Sequence, residues 1–209
     1  INLIFKLKII SKKKLIMDSY PFRYYSNFLQ NENISSLKLK EKILENIDFK
    51  RDNIEIGRGN EKVIRQERRG TAWLSDNPKL TFEYSGKIME PKPIPIFITQ
   101  IKDIISMKFN INFDGILLNY YYDNNSSMGY HSDPIEDKWS NDFMIISLGE
   151  TREFIFRDKE NKDKKIRYNF QDGDVIYMFN DCQDRFEHCL KKGKKNQTEN
   201  RISIVFKKS

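Results

Sequence analysis

Arg201-Ile202-Ser203-Ile204-Val205-Phe206-Lys207 alternates without a break. Successive residues of a strand point to opposite faces, so Ile202, Ile204 and Phe206 share one face and Arg201, Ser203, Val205 and Lys207 the other. The regular apolar face predicts a strand laid against a core. Two cations on the other face would ordinarily mean solvent. They gain a use if that face lines an anion pocket, because a guanidinium offers a planar fork that matches a carboxylate.

Outward from this strand, short runs at 115–122, 143–148, 153–157, 166–170 and 174–179 read as further strands. Turn-like or charged stretches at 158–165 and 191–200 separate them. Two earlier stretches read as helices. In 34–47 the apolar residues fall at 34, 37, 43, 44 and 47, close to a 3.6-residue period. In 95–109 the set Phe97, Ile98, Ile101, Ile104 and Ile105 is cleaner, and Pro95 suits a first helical turn. Both predict packing against a sheet. Helices followed by many short strands predict an α+β chain: a double-stranded β-helix, or jelly roll, with N-terminal helices on one outer face.

At 209 residues the chain is the size of one domain. Composition is 38% hydrophobic and 32% charged, which suits a globular protein rather than a disordered one. The net charge of +7 favours polyanionic partners without selecting one. Two cysteines, Cys182 and Cys189, are too few for a disulfide framework and read as reduced thiols. No apolar run approaches the roughly 18 residues needed to cross a bilayer, so no membrane partner is expected. Residues 1–16 interrupt their apolar runs with Lys6, Lys8 and Lys12 to Lys14, unlike a secretory leader. They read as a disordered N-terminal extension, with Met17 as a natural start and 17–209 as a single domain. The expected product is a monomer, cytoplasmic or nuclear and not secreted.

The chemistry begins at Gly129-Tyr130-His131-Ser132-Asp133. Residues i and i+2 of an extended chain project to one face, about 6–7 Å apart, so His131 and Asp133 can converge on one ion. A second histidine would complete the two-histidine, one-carboxylate triad that suits non-haem Fe(II). With two histidines and 16 aspartates, chance alone yields His-x-Asp in roughly one chain in seven, and a lone surface histidine is the ordinary alternative. The surroundings of the other histidine add weight: Gly173-Asp174 turns into a strand, His188 follows, and the alternating strand closes the chain.

Taken in order, these pieces resemble the AlkB family of oxidative nucleic-acid demethylases. The resemblance runs from Val63 to Lys207, about two-thirds of the chain. It rests on Arg65, Tyr84-Ser85-Gly86, Pro91-Lys92-Pro93, Asn119-x-Tyr121, His131-x-Asp133 and Ser147-Leu148-Gly149. It continues through Arg152-Glu153-Phe154-Ile155-Phe156-Arg157, Gly173-Asp174, His188 and Arg201 to Lys207. It implies Fe(II) held by His131, Asp133 and His188. It implies 2-oxoglutarate paired at its distal carboxylate with Arg201, beside Asn119, Tyr121 and Ser203, with Lys207 facing the iron-chelating end. Tyr84 would stack on a flipped-out methylated base with His131 on its other side, and Trp73 and Arg65 would sit in a mobile substrate lid. Glu136 and Arg157 complete the implied substrate contacts. The implied reaction is oxidative removal of N-methyl groups from DNA or RNA, releasing succinate, CO2 and formaldehyde. Such an enzyme must take the base out of the stack.

Three positions depart from the family pattern. Lys207 replaces an arginine, Ser203 replaces an asparagine, and Pro134-Ile135 stand where acidic residues face the cationic base, with Glu136 and Asp137 displaced. The third bears on the identity of the base rather than on the reaction. Two other readings fit the same residues: a jelly-roll dioxygenase acting on a protein side chain, and a catalytically dead nucleic-acid-binding module. Salt-dependent binding of single-stranded nucleic acid separates the first from the demethylase, and iron-dependent 2-oxoglutarate turnover separates the second.

Overall fold

The computed structural model describes residues 20–57, 62–133, 138–196 and 199–209. The expected extension at 1–16 therefore lies outside the described residues. In chain order the first elements are β1 (Phe22–Tyr25), α1 (Phe28–Asn31), α2 (Ser36–Asn46), β2 (Asn53–Ile56), β3 (Val63–Gln66) and β4 (Gly70–Leu74). Next come β5 (Phe82–Tyr84), β6 (Lys87–Met89), α3 (Ile96–Phe109), β7 (Gly115–Tyr121), β8 (Met128–His131) and β9 (Phe143–Gly149). The last are β10 (Arg152–Asp158), β11 (Lys165–Phe170), β12 (Val175–Met178), α4 (Cys182–Arg185), β13 (Phe186–Leu190) and β14 (Arg201–Lys207).

Two antiparallel sheets carry the fold. The larger runs β1-β12-β9-β14-β7-β4 and the smaller β11-β10-β13-β8. β14 is central, antiparallel to β7 on one side and β9 on the other, and all seven of its residues are buried. Its alternation sorts two cores. Ile202, Ile204 and Phe206 join Leu39 and Ile43 of α2 and Ile98, Ile101 and Ile105 of α3 behind the larger sheet. Val205 joins Leu117, Ile145 and Ile176 in facing Phe154, Phe156, Phe186 and Leu190 between the sheets. The jelly roll is as expected, with both predicted helices on one outer face.

Both helices end where local chemistry stops them. Ser35 caps α2, its Oγ accepting from the Lys38 amide at 3.3 Å. Asn110 ends α3 in the left-handed region, at φ 54°. Among the described residues these are the only helices longer than one turn. Before residue 113 the chain also holds β1 to β6, strands that the sequence reading did not anticipate. β2–β3 and β5–β6 form two small hairpins, joined by the Glu55 amide donating to the Ser85 carbonyl at 3.0 Å. At the end of β9, Gly149 adopts φ 85°, and a Cβ there would meet the Asn200 carbonyl oxygen at 2.6 Å. That position requires glycine.

Candidate metal centre

β13 pairs with β8 so that His188 lies directly opposite His131, with ring centroids 4.3 Å apart. Asp133 follows β8 by two residues. One ligand atom from each of His131, Asp133 and His188 falls within a mutual 4.8 Å. The His131 Nδ1 lies 2.9 Å from the Gly129 carbonyl oxygen, which requires a proton on Nδ1 and leaves Nε2 as the free lone pair. Phe154 stacks on the His188 ring at 5.4 Å and 13°, fixing its plane. The Asp133 amide donates to Gln183 Oε1 at 2.9 Å, and Ser132 Oγ to the Phe186 carbonyl at 3.0 Å. The short helix α4 and β13 thus hold the His-x-Asp segment in place.

Charge states follow from burial and neighbours. Burial pushes His188 down to about 3, helped by His131 and opposed by Asp133. His131 is lowered too, again chiefly by burial. Both rings are therefore neutral at physiological pH, as metal ligands must be. Burial opposes ionisation of Asp133, but the adjacent Lys207 ammonium, which also hydrogen-bonds to it, outweighs burial, and the carboxyl sits far below the usual range. Two neutral imidazoles and one carboxylate fit a non-haem ferrous ion by donor type and number.

A cavity of about 460 Å³ opens over this cluster. One wall carries Asn119 and Tyr121 of β7 and Arg201 and Ser203 of β14; strand register places Arg201 opposite Tyr121 and Ser203 opposite Asn119. Arg201 is 1% exposed. Its Nε donates to Ser147 Oγ at 3.1 Å, whereas its Nη1 is buried with no partner. Burial lowers its pKa to about 10, so it remains charged. A buried cation with an unsatisfied donor beside a cavity fits a dicarboxylate co-substrate. Asn119 Nδ2 donates to Ser203 Oγ at 3.3 Å.

Residues 21–207 match the 2OG-Fe(II) oxygenase superfamily. The chain belongs to that superfamily. The family's reaction uses Fe(II) and 2-oxoglutarate, and this oxygenase is an Fe(II)- and 2-oxoglutarate-dependent dioxygenase. It is 32% identical over 191 residues to "Uncharacterized protein R406" of Acanthamoeba polyphaga mimivirus, covering 91% of this chain and 95% of the relative. It is 27% identical over 138 residues to the DNA oxidative demethylase ALKBH2 of Bos taurus, covering 62% of this chain and 49% of that one. It is 28% identical over 158 residues to alpha-ketoglutarate-dependent dioxygenase alkB homolog 3 of Rattus norvegicus, covering 70% and 52%. The oxygenase thus spans about half the length of these two. A solved structure titled "The structure of OsALKBH1" shares the fold, with TM-score 0.63 and 18% identity over 90% of this chain and 98% of that one. The two AlkB-named relatives match 62% and 70% of this chain, and the solved structure shows the shared fold. Among the described residues no helix is long and apolar enough to cross a membrane.

The remaining expected residues divide. Tyr84 of β5 lines the cavity together with His131, and its hydroxyl donates to Glu67. Trp73 does not sit in a lid. It lies in β4 of the larger sheet, 2% exposed, with Nε1 donating to the Leu80 carbonyl at 2.7 Å, because a large indole stabilises most when buried with its N–H satisfied. Arg65 is exposed on the β2–β3 hairpin, away from the cavity wall. Arg157 is outside the wall as well, paired with Glu187 at 2.6 Å and capping the Tyr130 ring at 3.6 Å. Lys207 is fully buried rather than facing the cavity. Its Nζ lies 3.1 Å from Asp133 Oδ1 and 3.9 Å from the Phe143 ring centroid. Glu136 falls in 134–137, outside the described residues. Among the cavity residues that went unread in the sequence are Arg69, whose Nε donates to Asn119 Oδ1 at 2.6 Å, and Phe82. Arg69 is hidden in the charged run Glu67-Arg68-Arg69, which reads as a solvated turn.

Proposed function

We propose that this oxygenase removes N-alkyl groups from bases of DNA or RNA. The observation that carries the reading is one cavity whose lining joins the His131–Asp133–His188 cluster and buried Arg201 to Tyr84 and the exposed Ser85–Gly86 turn. In this reading His131, Asp133 and His188 hold Fe(II), and Arg201 pairs with one carboxylate of 2-oxoglutarate between Asn119, Tyr121 and Ser203. Held by those residues, Fe(II) and 2-oxoglutarate would supply an O2-dependent hydroxylation of the N-methyl carbon, the second oxygen atom going to succinate with loss of CO2. The hydroxymethyl adduct then breaks its C–N bond, leaving formaldehyde and the unmodified base.

The chain's own residues bind and orient. Tyr84 offers an aromatic face to an extruded base, a contact worth roughly 1–3 kcal/mol. Lys207 neutralises the second oxygen of Asp133 and keeps that carboxylate in place. Phe154 and Phe82 exclude water from the buried end of the cavity. A net charge of +7 supports a polyanionic substrate.

The deciding experiment incubates the protein with Fe(II), 2-oxoglutarate and methylated oligonucleotides, reading base masses and formaldehyde. A loss of 14 mass units (one CH2) from the base, stoichiometric with succinate, is the expected result. Succinate formation with every oligonucleotide unchanged would overturn the nucleic-acid assignment.

A further inference from the structure

Arg69 precedes β4 and is nearly buried, yet it lines the cavity between the proposed co-substrate wall and Tyr84. Its hydrogen-bond partners are neutral: Asn119 Oδ1 at 2.6 Å from Nε, and Met128 Sδ at 3.0 Å from Nη1. Its guanidinium lies 5.8 Å from the Tyr84 ring centroid. Among the described residues no carboxylate lies within ion-pair distance of it. Among the described residues the buried and partly buried acids around the cavity are otherwise engaged. Asp133 pairs with Lys207, and Glu67 takes Lys87 and the Tyr84 hydroxyl, leaving Glu83 exposed at the rim.

We propose that Arg69 is a specificity-determining residue that selects electrically neutral N-methylated bases bearing a ring carbonyl over cationic ones. The inference rests on the nucleic-acid reading above. A buried cation next to the base-stacking ring repels a second cation, and desolvation strengthens that repulsion. A guanidinium donates hydrogen bonds and accepts none, so it complements a carbonyl oxygen and not an exocyclic amine. N3-methylcytosine and N3-methyluracil isolate both effects. They share ring and methyl group, but the first is cationic with an amine at C4 and the second neutral with a carbonyl there. Arg69 also contacts Asn119, so substituting it will disturb co-substrate binding. That disturbance scales both reactions alike and cancels in their ratio.

The test measures kcat/KM on two single-stranded oligonucleotides differing only in these bases, for the wild type, Arg69→Gln and Arg69→Lys. The wild type should favour N3-methyluracil by about tenfold or more, Arg69→Gln should bring the ratio to within about threefold of unity, and Arg69→Lys should keep its direction. A wild-type preference for N3-methylcytosine overturns the inference without any variant, as does a ratio unmoved in Arg69→Gln. Both results leave the demethylase reading standing. Succinate formation with neither base repaired would remove that reading, and this inference with it.

Discussion

His131 and His188 are the only imidazoles in the chain, so removing either leaves no residue of that type to complete a three-ligand site. His131→Ala and His188→Ala should each abolish Fe(II) retention in equilibrium dialysis and abolish 2-oxoglutarate decarboxylation without substrate. Retained decarboxylation in either variant would refute the metal assignment. Arg201→Ala removes a buried fork whose bond to a carboxylate is worth about 1.5–3 kcal/mol. The KM for 2-oxoglutarate should rise roughly ten- to a hundredfold, and an unchanged KM would displace the co-substrate pocket. The metal cluster was legible in the sequence because two histidines and one His-x-Asp leave few combinations. The Arg201 face was legible because a period of two is visible without knowing the neighbours. The place of Lys207 was not: whether a cation on that face points into the cavity or under a carboxylate depends on where Asp133 crosses it, a long-range fact. Arg69 was lost for the same reason, since nothing local separates a charge that turns inward from one that stays in water.

Hairpins β2–β3 and β5–β6 are tied together by one buried acid. Glu67 lies fully buried and accepts from Lys87 at 2.9 Å and the Asp52 amide at 3.2 Å, besides the Tyr84 hydroxyl. Burial opposes the charge on Lys87, but Asp52 and Glu67 outweigh it and raise its pKa. Glu67→Ala would leave a largely buried ammonium with the half-exposed Asp52, at 2.7 Å, as its one charged partner beside the neutral Thr71 hydroxyl, also at 2.7 Å. Breaking such a pair costs about 3 kcal/mol, so Tm should fall by roughly 6–12 °C. Glu67→Gln, which can still accept from Tyr84, should fall less and keep more activity. Equal melting of the two variants would mean that the charge pair contributes nothing. These hairpins were missed in the sequence because β3 is exposed throughout, so it carries no apolar alternation. The strands of the C-terminal half were readable because each presents at least one face to a core. β8 fell between these cases, four residues with none buried, and only its pairing with β13 makes it a strand.

Considered whole, the molecule places its active cluster at an edge of the smaller sheet, where β8 is outermost, and its longer helices α2 and α3 behind the larger one. The positive charge is therefore useful only if some of it surrounds the cavity mouth. A second depression does lie at His131, lined also by Tyr130, Ser132, Lys159, Lys162 and Glu187, with Arg157 held over Tyr130. A phosphate-bearing strand whose base enters the cavity must pass close to this ground. Each phosphate contact on a single strand contributes about 0.7 to the slope of log affinity against log salt. Replacing Lys159 and Lys162 together by Ala should therefore weaken binding of single-stranded oligonucleotides and lower that slope by about one to one and a half. Lys159 also donates to the Gln183 carbonyl at 2.6 Å, so a loss of fold is a competing cause that must be separated. A general loss of fold would depress 2-oxoglutarate turnover without substrate and leave the slope of the remaining binding unchanged. Loss of phosphate contacts does the reverse, reducing the slope while that turnover persists. Measuring affinity at several salt concentrations alongside substrate-free turnover distinguishes the two. An unchanged slope in a folded double variant would move the nucleic-acid path to another face.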